Sequence, residues 1–396
     1  FFLMIRRPPR STLLASSAAS DVYKRQAIPV DIPDKPITVI RREENDSNDI
    51  VNLLEDKLSG GGCAAVIVNS VAYSQELADT IAANMPDYRV ICFHSRLIST
   101  DRAVIERELT ELVGKKSTCE KRDKLIVVGT QVLEQSLDID FDYMITELCP
   151  MDLLLQRSGR LHRHNRTRPD KLSEPELCVL IPEDFSKSVY SGWILKQTEK
   201  YLPDKLVIPG CIPELVGAVY SEPDNDEQQT AEYRKYSDEQ KEKKQRAKKY
   251  CIPSQKINRS DSTLSDMINR RELNNDSDGE AAVRDGQETI EALVLVKTSD
   301  TEYSLFSRDA VFDITSVPDN AQAKLIAKQR LRLPAFFSKS YNFGKTIEIL
   351  ANSMPQAWRN AKWLKGEILL LLDGNNKISM CYLTSKIRIF DTQNTK

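Results

Sequence analysis

The run CAAVIVNSVAYSQELADTIAANMPDYRVICF, residues 63–93, decides the fold. Its first part, residues 63–69, is apolar and lies between glycines and a polar Asn-Ser pair, which is typical of a buried strand. Ser70 can cap a helix over residues 71–85, where apolar residues recur at helical spacing. Strand-like sequence returns at residues 89–93. The run therefore predicts two parallel strands joined by a helix.

The alternation continues downstream of this run. A helix is expected over residues 100–113, and further strands are expected at residues 125–129 and 143–146. Strands separated by helices of this length form a parallel sheet covered by helices. We therefore predict an α/β domain over residues 27–182.

The sequence that follows is charged and polar. Residues 183–280 predict a helical linker and a flexible segment, and the lysine-rich run at residues 238–249 is read as a solvated face, with direct nucleic-acid contact as the alternative. Strand-like sequence returns from residue 281. A small α+β C-terminal domain is therefore predicted over residues 281–396.

Composition limits the classes of function. The 56 basic and 58 acidic residues nearly cancel, so attraction to nucleic acid must come from a local patch. No apolar run approaches the ~20 residues that cross a bilayer, which argues against a membrane-spanning role. The eight cysteines lack the paired spacing of a zinc site and predict a reducing, cytoplasmic compartment.

The first 26 residues are basic, rich in serine and alanine, and without helical or strand period. They resemble translated sequencing-adapter sequence at the edge of an assembled DNA fragment. We therefore expect residues 1–26 not to be native and native sequence upstream to be missing.

The run QRSGRLHR, residues 156–163, is the most informative for chemistry. If it begins as a helix, Gln156, Arg160 and Arg163 fall at i, i+4 and i+7 on one face. Gly159 allows a phosphate to approach beside them. Two guanidiniums on one face suit a transferring γ-phosphoryl group, whereas the alternative is a solvated basic helix end.

A second group of polar residues follows the strand at residues 125–129. Ligands of open α/β sheets bind at the carboxyl ends of strands, which is where Thr130 and Gln131 are expected. Asp138 could accept a hydrogen bond from a ribose hydroxyl. The alternative for its acidic segment is a solvated turn.

Taken together, the run VVGTQVLEQSLDIDFDYMITELCPMDLLLQRSGRLHRHNRTRP, residues 127–169, resembles motifs V and VI of superfamily-two helicases. The form is that of the CRISPR-associated helicase-nuclease of type I interference systems. The resemblance implies that residues 27–182 are the second RecA-like helicase domain of an ATP-dependent single-stranded DNA translocase, which unwinds and helps degrade foreign DNA. It also implies two partners, single-stranded DNA and a guide-RNA surveillance complex.

Carried over by position, the resemblance assigns roles to individual residues. Arg160 and Arg163 would face the ATP phosphates with Gln156 supporting them, and Asp138 and Gly159 would lie at the nucleotide. The expected nucleic-acid-binding residues are Thr130, Gln131, Gln135, Asn69, Ser70, His94, Arg96 and Arg102. For His94, a structural role is an equally good interpretation.

Other parts of a complete enzyme of this family are not found in the sequence. No glycine-rich phosphate loop precedes residue 60, and we interpret Gly344-Lys345-Thr346 as a coincidence. ATP and Mg²⁺ would need a missing first RecA-like domain, and the histidine-aspartate nuclease metal site is absent, so the fragment is expected to be inactive alone.

The five arginines of residues 157–168, with His162 and His164, suit phosphates better than a metal ion. Two alternatives to CRISPR interference stay open at this point. One is a general superfamily-two helicase, and the other is a non-catalytic nucleic-acid-binding module.

Overall fold

The computed structural model describes residues 33–43, 46–134, 137–248 and 289–373. The predicted adapter segment, Gln135 and most of the predicted flexible segment lie outside the described residues. The described chain contains two β-sheets, one with seven strands and one with five.

The larger sheet carries the predicted α/β fold. Its strands within the described residues are β1 (Lys35–Glu43), β2 (Cys63–Ile67), β3 (Arg89–Phe93), β4 (Leu125–Gly129), β5 (Tyr143–Glu147), β6 (Glu176–Ile181) and β7 (Lys205–Ile208). Their order is β3-β4-β2-β5-β6-β1-β7. The neighbouring strands are parallel, except that β7 runs antiparallel to β1. The prediction of a parallel, helix-covered sheet is confirmed.

Helices cover both faces of this sheet. The helices described in this part of the chain are α1 (Ser47–Leu58), α2 (Val71–Asn84), α3 (Ser99–Val113), α4 (Cys119–Arg122), α5 (Met151–Ser158), α6 (Gly192–Tyr201), α7 (Ile212–Tyr220), α8 (Asn225–Gln228) and α9 (Ala231–Lys248). Alternate residues of a strand point to opposite faces, so Ala65 and Ile67 of β2 enter one core cluster and Ala64 and Val66 enter the other. Both layers bury continuous apolar surface.

The predicted linker is wrong in its first part. β7 joins the large sheet, and Trp193, Leu195 and Leu206 pack in its core. The cause is a set of apolar residues on α6 and α7 that the charged composition of residues 183–280 conceals. The sheet therefore extends beyond the predicted domain end at residue 182.

The smaller sheet lies in the C-terminal part and is accompanied by helices. Its strands are β8 (Glu291–Lys297), β9 (Glu302–Ser304), β10 (Val311–Asp313), β11 (Arg330–Arg332) and β12 (Leu369–Leu372), and its helices are α10 (Asn320–Ala327) and α11 (Ser340–Asn352). The Gly-Lys-Thr tripeptide lies within α11 and not in a loop. Ile98, which precedes α3, packs in the core of this sheet. Among the described residues, no helix is both long and apolar enough to span a membrane.

Candidate functional site

The helix that begins the 156–163 run ends early. α5 stops at Ser158, Gly159 caps it, and His162 takes a left-handed conformation with φ 47°. Arg160 and Arg163 therefore follow the helix, so the prediction that they share one helical face with Gln156 is wrong. Gly159 ends the helix, and the turn at His162 then redirects the chain. Gln156 is exposed on the last turn of α5.

Arg163 and Asp138, predicted from separate segments, lie together. Arg163 Nε is 2.7 Å from Asp138 Oδ1, and the two side chains are 35% and 52% exposed. His164 Nε2 lies 3.1 Å from the same oxygen. Partial burial raises the pKa of Asp138, but His164 and Arg163 outweigh this effect and hold the pKa below its usual value. Asp138 is therefore an ionised partner of Arg163.

Arg160 is more deeply placed than Arg163. Its guanidinium donates to the Glu134 carbonyl at 2.7 Å. Its Nε is buried and has no hydrogen-bond partner among the described residues. Burial, followed by the neighbouring Arg163 charge, lowers the pKa of Arg160. A buried donor without an acceptor is costly, so this nitrogen is suited to an anion.

A buried ion cluster lies behind these residues. It consists of two carboxylates and three guanidiniums: Asp140, Asp142, Arg122, Arg166 and Arg168. Asp140 is paired with all three arginines, at 3.3, 2.7 and 2.9 Å respectively, and Asp142 lies 2.6 Å from Arg122 and also pairs with Arg168. We call these five residues the aspartate–arginine cluster.

This cluster corrects the prediction of a phosphate-binding patch over residues 157–168. Arg166 and Arg168 are internal ion-pair partners, because the acids absent from that stretch come from residues 138–142. Arg157 is also internal. Of the basic residues in this stretch, Arg163 is exposed and Arg160 and the two histidines are half-buried, whereas the side chains of Arg166 and Arg168 are only 10% and 5% exposed.

Arg157 is a structural residue that sequence reasoning missed. It is fully buried, and its Nε pairs with Glu134 at 2.7 Å. Its terminal nitrogens donate to Thr146 Oγ1 at 2.7 Å and to Asn69 Oδ1 at 3.0 Å. Its position beside Leu154 on the apolar face of α5 was the available signal. Arg157 thus joins α5 to the carboxyl ends of β2 and β5.

A cavity of about 920 Å³ opens beside the 159–168 loop. Gly159, Asp138 and Arg163 line it, together with Lys35 and Lys115. Lys35 Nζ donates to the carbonyls of Leu161, at 2.6 Å, and of His162. Burial and the Arg168 charge lower the pKa of Lys35 to about 8. Of the predicted nucleotide residues, Asp138, Gly159 and Arg163 therefore share one basic cavity, whereas Arg160 and Gln156 are not among its lining residues.

The predicted nucleic-acid residues at the carboxyl ends of the strands are partly committed to internal contacts. Asn69 Oδ1 accepts the hydrogen bond from Arg157, and the Asn69 side-chain amide donates to the Leu148 carbonyl at 2.8 Å. Thr130 is fully buried, and Gln131 donates to Tyr190 Oη at 2.9 Å. Gln135 lies outside the described residues. A cavity of about 390 Å³ at this edge is lined by Asn69 and Ser70 but also by three acids, Glu147, Glu183 and Asp184.

Of the predicted nucleic-acid residues after β3, some also make internal contacts and others stay accessible. His94 is fully buried, its Nδ1 accepts from the Arg96 backbone N–H at 3.1 Å, and its Nε2 contacts the Gln75 amide at 3.1 Å. Burial and the Arg96 charge lower the pKa of His94 to about 4. The contacts match the structural interpretation of His94. Arg102 pairs with Glu106 at 2.8 Å, whereas Arg96 is half-buried.

Two family models match the chain. Residues 60–166 match the model described as CRISPR-associated nuclease/helicase Cas3, C-terminal, and residues 284–386 match the Cas3 C-terminal domain. The CRISPR-associated nuclease/helicase Cas3 of Streptococcus thermophilus is 37% identical over 365 residues, which are 87% of this chain and 39% of that protein. The chain belongs to the Cas3 family.

Solved structures of the Cas3 family have the same fold. The crystal structure of T. fusca Cas3-AMPPNP matches with a TM-score of 0.69 and 24% identity, covering 91% of this chain and 42% of that one. A chain of a CRISPR RNA-guided surveillance complex, pre-nicking, matches with a TM-score of 0.63 and 24% identity, covering 89% of this chain and 43% of that one. The chain thus spans about two fifths of the length of each of these three proteins.

The first Cas3 family match contains α5, Arg160, Arg163 and both acids of the aspartate–arginine cluster. It ends at residue 166, before Arg168. No group of three or more His, Cys, Asp or Glu side chains that could hold a metal ion occurs in the part of the chain that the structure describes.

Proposed function

We propose that this chain forms the second RecA-like wall of the ATP site in a single-stranded DNA translocase of type I CRISPR interference. The observation that carries the proposal is the pairing of Arg163 with Asp138 in the wall of the basic cavity, near an Arg160 nitrogen that has no acceptor among the described residues. Fixed, partly desolvated guanidiniums stabilise the charge of a transferring phosphoryl group. The alternative of a helicase unrelated to CRISPR is disfavoured by the family.

In this proposal Arg160 and Arg163 bind the ATP phosphates. Gly159 leaves space for the nucleotide, and Asp138 releases Arg163 when a phosphate competes for it. Gln156 is a supporting residue on the exposed side of α5. ATP would bring Mg²⁺, and the remaining ligands would come from a first RecA-like domain with a phosphate loop. The T. fusca complex with AMPPNP, of a protein with this fold, supports nucleotide binding.

For DNA we propose direct backbone contact by Ser70, Gln131 and Arg96, which are all partly accessible. Asn69, Thr130 and His94 would support this edge through their internal contacts, and Arg102, which pairs with Glu106 at the surface, keeps its predicted role in DNA contact. Gln135 keeps its predicted role in DNA contact. The guide-RNA surveillance complex is proposed as the partner that delivers DNA, since a chain with this fold occurs in such a complex. Unwinding and degradation of foreign DNA in the prokaryotic cytoplasm would follow.

A chimera tests the proposal. This chain replaces the matched 39% of the Streptococcus thermophilus relative, and ATP turnover is measured with and without single-stranded DNA. We expect turnover that DNA stimulates, a loss of roughly 10³-fold on Arg163→Ala, and no turnover by this chain alone. Arg107→Ala, an exposed arginine of α3, is the matched control.

Normal turnover by the Arg163→Ala chimera would exclude the phosphate-binding role. Turnover by this chain alone that Arg163→Ala abolishes would show that the chain needs no first domain. If a folded chimera binds DNA in a salt-dependent way but DNA does not stimulate its ATP turnover, the non-catalytic module would be favoured.

A further inference from the structure

Asp140 has no assigned role, yet it is joined to the residue proposed to bind phosphate. We propose that Asp140 is a positioning residue that fixes the backbone of Arg163. The inference rests on the proposed function of Arg163. In this inference the buried Asp140 carboxylate fixes the backbone from which the exposed Arg163 side chain extends.

The contact is direct. Asp140 Oδ1 accepts a hydrogen bond from the Arg163 backbone N–H at 2.8 Å, and Asp140 is fully buried. Adjacent backbone bonds join the same two segments, from Phe141 N to the Arg160 carbonyl and from His162 N to the Phe141 carbonyl, both at 2.9 Å. The segment before β5 and the 159–168 loop therefore run side by side, and Arg163 cannot shift without breaking this pairing.

The loop is attached to the same carboxylate at a second point. Arg166 and Arg168, further along the loop, pair with Asp140 Oδ2 at 2.7 and 2.9 Å, and Arg122 of α4 pairs with it at 3.3 Å. Arg122 and Arg168 donate charge-assisted hydrogen bonds to this carboxylate, which are stronger than neutral ones, whereas Arg166 pairs with it by charge alone. The loop is thus held on both sides of Arg163, while the Arg163 guanidinium stays partly exposed.

The backbone at His162 fits this interpretation. A left-handed conformation is unfavourable for a residue other than glycine. Its consequence here is that the next N–H, that of Arg163, points at Asp140. The strained His162 backbone would fix the position of Arg163. This matters for the reaction, since misplacing a catalytic group by about 1 Å can lower a rate by about 10²-fold.

The test must separate positioning from general stability. Removing Asp140 alone leaves Asp142 against three arginines and endangers folding. We therefore compare Asp140→Ala/Arg166→Met with Arg166→Met, which keeps the Asp140–Arg163 bond. The net charge of the cluster is the same in the double variant as in the native chain.

Two measurements follow on these variants. In the full chain, hydrogen exchange of residues 159–164 is expected to be faster in the double variant than in Arg166→Met, with β5 unchanged. In the chimera, kcat is expected to fall by about 10²-fold at constant KM for ATP. In an Arg163→Ala background, loss of Asp140 is expected to have no further effect.

An equal further loss of kcat in the Arg163→Ala background would overturn the inference, because Asp140 would then act independently of Arg163. Unchanged exchange at residues 159–164 would overturn it too. Neither result touches the proposed function, which fails instead if Arg163→Ala by itself leaves turnover intact.

Discussion

Arg163 Nε lies 2.7 Å from Asp138 Oδ1 at the surface, whereas Arg168, five residues later, pairs with the buried Asp142. One loop therefore contains two ion pairs of the same chemistry in different surroundings. Water screens the first pair, so its contribution to stability is small. The second pair is buried and has lost its hydration, so removing one partner would leave an uncompensated buried charge and lower stability strongly.

The first prediction compares Asp142→Asn with Asp138→Asn in the full chain. Asp142→Asn is expected to lower the free energy of unfolding by about 3–5 kcal/mol, because it leaves Arg122 and Arg168 buried without this carboxylate. Asp138→Asn is expected to cost less than about 1 kcal/mol. Urea denaturation measures both, and equal losses would contradict the burial argument.

Much of the large sheet could be predicted from its sequence. β2, β3 and β4 are short apolar runs bounded by polar residues or turns, and the helices between them have ordinary apolar spacing. β1 and β7 could not be recognised in this way. Few of their residues are buried, and they are held by pairing with strands distant in sequence. Tertiary pairing had overridden local pattern there.

The sequence selects Arg160, Arg163 and Asp138 as candidates, and the structure brings Asp138 and Arg163 together, but the geometry of the site could not be predicted. It does not show that α5 ends at Ser158, because a helical pattern can be read past Gly159. It also gives no indication that carboxylates from residues 138–142 neutralise the arginines of the next segment, since that contact depends on the fold of the whole sheet.

The second prediction concerns two arginines of the same motif. Arg157→Lys is expected to lower the free energy of unfolding by about 3–5 kcal/mol, since an ammonium cannot reproduce a planar fork that bonds Glu134, Thr146 and Asn69 together. Arg163→Lys, the control, is expected to change it by less than about 1 kcal/mol. Urea denaturation again measures both. An unchanged free energy of unfolding in Arg157→Lys would mean that the planar guanidinium of Arg157 is dispensable for folding.

The third prediction is a loss of stability in mild acid. The pKa of buried His94 is about 4 when folded against 6.5 in its reference state. The unfolded chain therefore binds the proton first, and stability that is complete above about pH 6.5 is lost as the pH falls toward 4. His94 alone accounts for about 2 kcal/mol at pH 5. Burial and Arg168 lower the pKa of His162 to about 4 as well, which adds in the same direction.

Chemical denaturation between pH 7 and pH 5 measures this loss, in a range above the titration of most carboxylates. His94→Gln is the control, because it removes one of the two histidines with a lowered pKa and should flatten the pH dependence. An unchanged slope in that variant would show that His94 does not carry the effect.

The last prediction concerns the contact between the two sheets. Ile98 precedes α3 in the first sheet's layer, yet it packs in the core cluster of the second sheet, and the neighbouring Ser99 hydroxyl donates to the Arg330 carbonyl at 3.3 Å. Ile105, on the same helix, packs in the core of the first sheet. Removing one side chain or the other should therefore destabilise different parts of the chain.

Two buried tryptophans report the two parts separately, because Trp193 lies in a core cluster of the large sheet, and Trp358 lies in the core cluster on the other face of the smaller sheet from Ile98. In backgrounds that keep one of them and lack Trp363, Ile98→Ala is expected to lower the free energy of unfolding reported by Trp358 by about 2–4 kcal/mol. Ile105→Ala should instead act at Trp193. Equal shifts at both probes in both variants would mean that the two sheets unfold as one cooperative unit, and the contact at Ile98 would then be part of a single core.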